Sequence, residues 1–381
     1  MKFVHLSDLH IGKKVNGFSM IDDQKYILTK ILGIISDEKP DGIIIAGDVY
    51  DKSIPPTDAV SLFDDFLVKI ASMGNQVFII SGNHDSAERV AFASRIMKRE
   101  GVHISPVYNG EVVPCTLSDE YGEVNIYLLP FIKPIHIRSF FENENIISYT
   151  DAVRVAVDNM NVDTSKRNVI VTHQFITGAA TADSEEYSVG GTDNVDVNVF
   201  DCFDYVALGH LHRPQKVTRD TVRYCGTPLK YSFSEESDNK SVTVVEMNEK
   251  GSTTIREVPL IPLHDMLTLT GTYNELMSKS YYENIDRKSY VRVRLTDEEE
   301  QINAFDKMRT VYENIMAFEY DNKRTKVNNN IIGASDVKSK STFELFAEFY
   351  EEQNNQPMSD EQSAFVKKLI EDISEGNYET D

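Results

Sequence analysis

Cysteine is scarce in this chain: three in 381 residues, with no paired spacing. Cys115, Cys202 and Cys225 stand alone, which excludes a disulfide framework and fits a reducing compartment. Long apolar runs are also missing, none approaching the 18 or so residues of a membrane span. The opening run Phe3-Val4-His5-Leu6 is too short for a signal segment, and Asp8 follows at once. The expectation is a soluble cytoplasmic protein with no membrane partner. Positive charge is short as well, with 39 Lys and Arg against 61 Asp and Glu, a formal net charge of −22. A protein that grips nucleic acid by overall basicity is thereby excluded, though local basic groups remain. The acidity is uneven, since residues 341–381 hold eleven acidic side chains against two lysines.

What the chain does have is five short apolar runs, each leading into residues that bind metals. Phe3–Leu6 leads into Asp8 and His10, Ile43–Ala46 into Asp48, and Val77–Ile80 into Asn83, His84 and Asp85. Val169–Thr172 leads into His173, and Tyr205–Leu208 into His210 and His212. Apolar runs of about four residues bounded by Gly or polar groups read as strands buried on both faces. Their ligands then gather along one sheet edge. A lone histidine after a strand is ordinarily a satisfied surface or core residue, and a lone Asp after Gly a turn residue. Five strand ends using five of the nine histidines form a pattern instead. His5, His103, His136 and His264 lack that context.

Two Asp, one Asn and four His make an oxygen and nitrogen set without thiolate, suited to manganese, iron or zinc. Seven ligands exceed one first-row ion once a water is included, and suit two ions about 3.5–4 Å apart. Asp48, beside Gly47, is the best bridging carboxylate. Asp8, His10, Asp48 and His212 are assigned to one ion, and Asp48, Asn83, His173 and His210 to the other. The chemistry this implies is metal-dependent hydrolysis.

Helix-patterned stretches, 22–35 and 58–73, alternate with the first strands, a βαβ rhythm that predicts parallel strands covered by helices. Val112-Val113 and Val124–Leu128 flank a polar turn and read as a hairpin of a second sheet. Further on, Tyr290–Leu295 alternates strictly, 298–312 reads as a helix and Ile315–Tyr320 as a strand, giving a second unit. A linker rich in Asn, Ser and Lys follows, then two short amphipathic helices. Phe343, Phe346 and Tyr350 line the first; Ser359 and Gln362 open the second, which bears Phe365, Leu369 and Ile373. Beyond a tether such aromatics imply a groove on a partner, or packing back on the parent domain. The expected organisation is 1–265, 266–327, a linker 328–341 and a helical segment 342–375.

The order Asp8-x-His10, Gly47-Asp48-x-x-Asp51, Gly82-Asn83-His84-Asp85, His173, then Gly209-His210-x-His212 resembles the calcineurin-type metallophosphoesterases, from Lys2 to about Ile261. The stretches Tyr224–Glu235 and Pro262–Met266 resemble, more narrowly, the nuclease subunits of bacterial complexes built with an SMC-like ATPase. The resemblance implies a β-sandwich flanked by helices, an α/β fold with a small α+β capping domain and a C-terminal helical tether. It implies the same seven ligands, two divalent ions per chain (manganese first, with iron or magnesium as alternatives), and His84 as a catalytic residue that is not a ligand. Asp51 could orient His84 and hold it cationic, whereas Asp85 reads equally as a turn residue or a catalytic one.

The same resemblance implies exonuclease and hairpin endonuclease activity on DNA in repair, recombination or replication, a homodimer, and two nuclease chains working with two ATPase chains that use the ATP. DNA contacts are assigned to Lys13, Lys14, Arg213, Lys216, Arg292 and Arg294, each of which reads equally as a solvated surface charge. Contacts with the ATPase are assigned to Phe343, Phe346, Tyr350, Phe365, Leu369 and Ile373. Two readings stand against this one: a phosphatase or other phosphodiesterase that does not act on DNA, and a non-catalytic scaffold.

Overall fold

The computed structural model describes residues 1–181, 183, 193–299, 301–322, 341–354 and 357–375. Two six-stranded sheets lie face to face. The first runs, in spatial order, Thr253–Pro259, Ser241–Met247, Lys2–Leu6, Gly42–Ala46, Gln76–Ile80 and Val102–Ile104. Its last four strands are parallel, and the other two are antiparallel additions at one side. The second runs Gln215–Val217, Arg219–Tyr224, Tyr205–Gly209, Arg167–His173, Gly122–Leu129 and Cys115–Asp119. Its four central strands are parallel.

Side-chain alternation explains why these strands read as unbroken apolar runs. Ile43, Ile45, Val77 and Ile79 face the helices Ile21–Glu38 and Thr57–Ser72. Ile44, Ala46, Phe78 and Ile80 face the other way and meet Val124, Ile126, Val169, Val171, Tyr205 and Ala207 of the second sheet. The far side of that sheet, with Ile170, Val206 and Leu208, is covered by Ala152, Val153, Ala156 and Val157 of the helix Tyr149–Asp158. Every position of Gly42–Ala46, Arg167–His173 and Tyr205–Gly209 is therefore buried, and period-two polarity disappears.

Two expectations are corrected. Val112 and Val113 form no strand; the hairpin partner is Cys115–Asp119, as Pro114 has no N–H to give a ladder. The helix read over 298–312 is confined, among the described residues, to Ala304–Met308, because Asn303 turns left-handed (φ 56°). On the helix Thr57–Ser72, Phe63, Leu67 and Ile70 are spent on the core.

A three-stranded, all-parallel sheet of Met266–Gly271, Tyr290–Leu295 and Asn314–Tyr320 follows, with its own core around Leu276, Val293, Met308 and Tyr312. It is not detached. Met266, Tyr290 and Met316 join the core of the first sheet, and the Tyr290 hydroxyl donates to Asp23 at 2.7 Å. The tether read over 328–341 lies outside the described residues except for Ser341. Beyond it, Thr342–Asn354 and Asp360–Glu375 are helices. The Ser359 and Gln362 capping box is formed reciprocally, at 2.9 and 3.2 Å. No described helix is long and apolar enough to cross a membrane.

Candidate metal centre

All seven expected ligands, together with His84, arrive at one edge of the sandwich. Asp8 and His10 follow Lys2–Leu6, Asp48 follows Gly42–Ala46, and Asn83 and His84 follow Gln76–Ile80. His173 ends its strand, while His210 and His212 follow Tyr205–Gly209 in the neighbouring strand. Both sheets thus contribute, each through the carboxyl ends of parallel strands.

The loops bearing these groups are held in unusual backbone conformations. Asp8, His10, Asp48 and His210 have positive φ (51°, 44°, 47° and 106°). Such residues cost of the order of 1–3 kcal/mol each and persist only where the surroundings impose them. Here the imposing contacts are main-chain bonds between ligand loops: Asp8 N donates to Gly47 O at 3.1 Å and His10 N to Asp48 O at 2.9 Å. Three glycines make the approach possible. A Cβ on Gly47 would collide with His173, one on Gly82 with the Asp48 carboxylate, and one on Gly209 with the Ala46 carbonyl.

The ligand atoms converge in a way that calls for a cation. His173 Nδ1 donates to the Ala46 carbonyl at 2.8 Å, which in the neutral ring leaves a lone pair on Nε2. That Nε2 faces Asn83 Oδ1 at 3.0 Å, Asp48 Oδ2 at 3.3 Å and Asp8 Oδ1 at 3.9 Å, oxygen acceptors all. Without metal, a proton fills the gap. Burial would lower the His173 pKa, but the Asp48 carboxylate outweighs it and raises it to about 9. Nearby, His10 Nε2 and His212 Nε2 face each other at 3.2 Å, and His10 Nδ1 is buried without a hydrogen-bond partner. Burial holds His10 and His212 below the ordinary imidazole value and lowers His210 to about 3. Burial also raises Asp8 to about 7; Asp48, despite burial, is held far below the carboxylate range by His173.

Donor atoms fall into adjoining groups: Asp8, His10 and His212; Asp8, Asp48 and His173; and His10, Asp48 and His84. Asp8, His10 and Asp48 are each shared between two groups. Carboxylate, amide and imidazole donors, neutral or anionic and aimed at one another, fit divalent metal ions.

His84 stands at the margin, its Nε2 4.0 Å from Asp48 Oδ2. Its Nδ1 meets the Asp51 main-chain oxygen at 3.2 Å. This corrects the role expected of the Asp51 side chain, whose carboxylate instead pairs with Lys13 at 2.7 Å and lies 3.8 Å from His10 Nδ1. Asp85 accepts from the amides of Val49, Tyr50 and Gly82 at 3.0–3.1 Å, clamping two ligand loops together. Two supports have no clear sequence signal. Gln24 donates to His10 O at 2.8 Å, and the Tyr231 hydroxyl donates to Leu9 O at 2.7 Å. Only Tyr231 lies in a stretch singled out by resemblance.

Most cations assigned to DNA have partners within the chain. Lys13 pairs with Asp51, Arg213 with Asp238, Lys216 with Asp220, and Arg294 with Glu319. Arg292 bonds Thr268 Oγ1 and lies over the Phe233 ring, while Lys14 is exposed. On the C-terminal helices Phe346, Phe365 and Ile373 are exposed, whereas Phe343, Tyr350 and Leu369 are partly covered.

A family model described as calcineurin-like phosphoesterase matches residues 1–214, more than half of the chain, and the chain belongs to that family. A second model, the type 5 capsule protein repressor C-terminal domain, matches residues 262–354. SbcD of the nuclease SbcCD from Staphylococcus epidermidis is 30% identical over 379 residues, covering 97% of this chain and 98% of that protein. Among solved structures, a dimetal phosphatase from Danio rerio covers 68% of this chain and 96% of its own, at 12% identity and a TM-score of 0.42.

Proposed function

We propose that the chain is the nuclease subunit of a DNA-processing complex, hydrolysing phosphodiester bonds as an exonuclease and hairpin endonuclease with two bound divalent ions, manganese first. The observation that carries this is the end-to-end similarity to an SbcD protein of the nuclease SbcCD, together with a complete set of seven donors. In this reading residues 1–265 carry the chemistry and 266–327 cap it. Residues 342–375 bind an SbcC-type, SMC-like ATPase that uses the ATP, two chains of each forming the complex in the cytoplasm. Exposed Phe92 and Ile96 support a homodimer.

Asp8, His10, Asp48 and His212 would hold one ion, and Asp48, Asn83, His173 and His210 the other. When bound, the ions supply Lewis-acid polarisation of the phosphate and lower the pKa of water. His84 then has one task, the proton required by the departing 3′-oxygen. With Nδ1–H directed at the Asp51 carbonyl, a cationic His84 presents Nε2–H for donation. Positioned proton transfer of this kind contributes about 10²–10⁴-fold. Asp85 and Gln24 keep the surrounding loops from moving, and the Asp51 carboxylate, paired with Lys13, lies beside the His10 ring.

The test is manganese-dependent nucleotide release from end-labelled duplex DNA and nicking of hairpin tips. His84→Ala is expected to lose at least about 100-fold in rate while still binding two manganese ions per chain. Intact DNA alongside vigorous phosphomonoester hydrolysis would favour a phosphatase instead.

A further inference from the structure

His212 uses its two ring nitrogens differently. Nε2 faces His10 Nε2 at 3.2 Å, inside the grouping of Asp8, His10 and His212. Nδ1 points the other way, toward Glu235 Oε1 at 3.7 Å. Glu235 has no solvent-exposed surface, an expensive place for a carboxylate unless something holds it there. Lys240 does so: its Nζ lies 2.5 Å from Glu235 Oε2 and also donates to the His212 main-chain oxygen at 2.8 Å. Thr227 Oγ1 and Tyr231 N lie 3.4 Å from the two carboxylate oxygens. The ion pair is built around His212 and not merely near it, since Lys240 grips the backbone of the same residue whose ring Glu235 faces.

We propose that Glu235 is a positioning residue of the metal centre, accepting the His212 Nδ1 proton so that the Nε2 lone pair is fixed toward the ion, with Lys240 as its counter-ion. A buried ion pair stabilises a fold poorly compared with apolar packing. A carboxylate behind a ligating histidine, by contrast, sets its tautomer and raises its donor strength. At 3.7 Å Nδ1 and Oε1 are within ion-pair range, and the contact is expected to tighten when metal is bound. This inference rests on the metal-centre reading above, and adds to it a residue that is neither ligand nor acid.

Glu235→Gln tests it, because the amide keeps the shape and hydrogen-bonding capacity of the side chain but is a far weaker acceptor for an imidazole proton. Manganese binding to the full chain is followed by titration and by electron paramagnetic resonance. The wild type should take up two ions and show a spin-coupled pair. Glu235→Gln should keep one ion at unchanged affinity and bind the other about 10–100-fold more weakly, giving an isolated-ion spectrum at the same manganese concentration. Two ions bound by the variant as tightly as by the wild type would overturn the role of Glu235. A wild type that binds no manganese would overturn the metal-centre reading itself. Should the variant fail to fold, the metal-loaded wild-type crystal structure decides: Nδ1 and Oε1 within hydrogen-bonding distance supports the relay, and a wider separation rejects it.

Discussion

Asp85 spends its carboxylate on three backbone amides, two from the Asp48 loop and one from its own. Burial raises its pKa to about 6, with Asp48 adding to the rise, so the charge is held at some expense. Removing it strands three buried donors, and hydrogen bonds to charged groups contribute roughly 1.5–3 kcal/mol each. Asp85→Ala is therefore expected to lose on the order of 3 kcal/mol and to bind manganese more weakly; calorimetric melting with and without the metal checks both. His5 shows a different use of burial. It lies between the sheets against Tyr205 (Nδ1 to hydroxyl, 2.9 Å), and burial, then the Arg223 charge, lowers its pKa to about 3. The folded chain keeps His5 neutral while the unfolded chain protonates it near 6.5, so the unfolded state binds more protons between those values. Its contribution is complete above about pH 6.5 and lost as pH falls toward about 3, by on the order of 5 kcal/mol. Denaturant midpoints of the metal-free protein should fall less steeply with acid in His5→Asn than in the wild type.

The strands that lead to the metal-binding residues were legible because each holds a short, local apolar run that ends in a change of residue type. Which face each side chain takes was not legible, since burial on both sides erases the alternation that would reveal it. Ile44 turns to the inter-sheet core and Ile43 to the helices. Ile44→Ala is expected to lose about 2–5 kcal/mol in urea unfolding, whereas Val68→Ala on an exposed helix face should change stability by less than about 0.5 kcal/mol. Elements whose bounds depend on a single backbone conformation are the ones that residue pattern misplaces. The helical stretch near 89–99 is broken at Ala93, which sits at φ 59°. Asn303 cuts short the helix read over 298–312 in the same way.

Between the units, a single turn carries contacts in both directions. Glu235 faces His212, and Glu236 accepts from the Thr268 amide of the small sheet at 3.0 Å. Lys230 bonds the Glu236 carbonyl and pairs with Asp265 at 2.7 Å, at the head of the same sheet. The C-terminal helices leave Phe346, Phe349, Phe365 and Ile373 exposed, with only Val366 buried among their described residues. Deleting residues 341–381 is expected to abolish copurification with an SMC-like ATPase while leaving manganese-dependent cleavage; retained copurification would place the partner's contact elsewhere. The balance of charge also emerges only here. Cations that look free along the chain are paired with acids, as Arg213 is with Asp238.

That the seven candidate donors would come together could be read from the chain alone, since each lies at or within a few residues of the end of one of five strands. Strand ends in a parallel sheet share an edge, so that local signal already implied convergence. What supports the donors could not be read in this way. The Tyr231 hydroxyl reaches Leu9 across 222 positions, and Asp85 reaches Val49 across 36. Contacts of that span leave no periodicity in the sequence. They arise only when packing brings distant loops together and every buried polar group must find a partner.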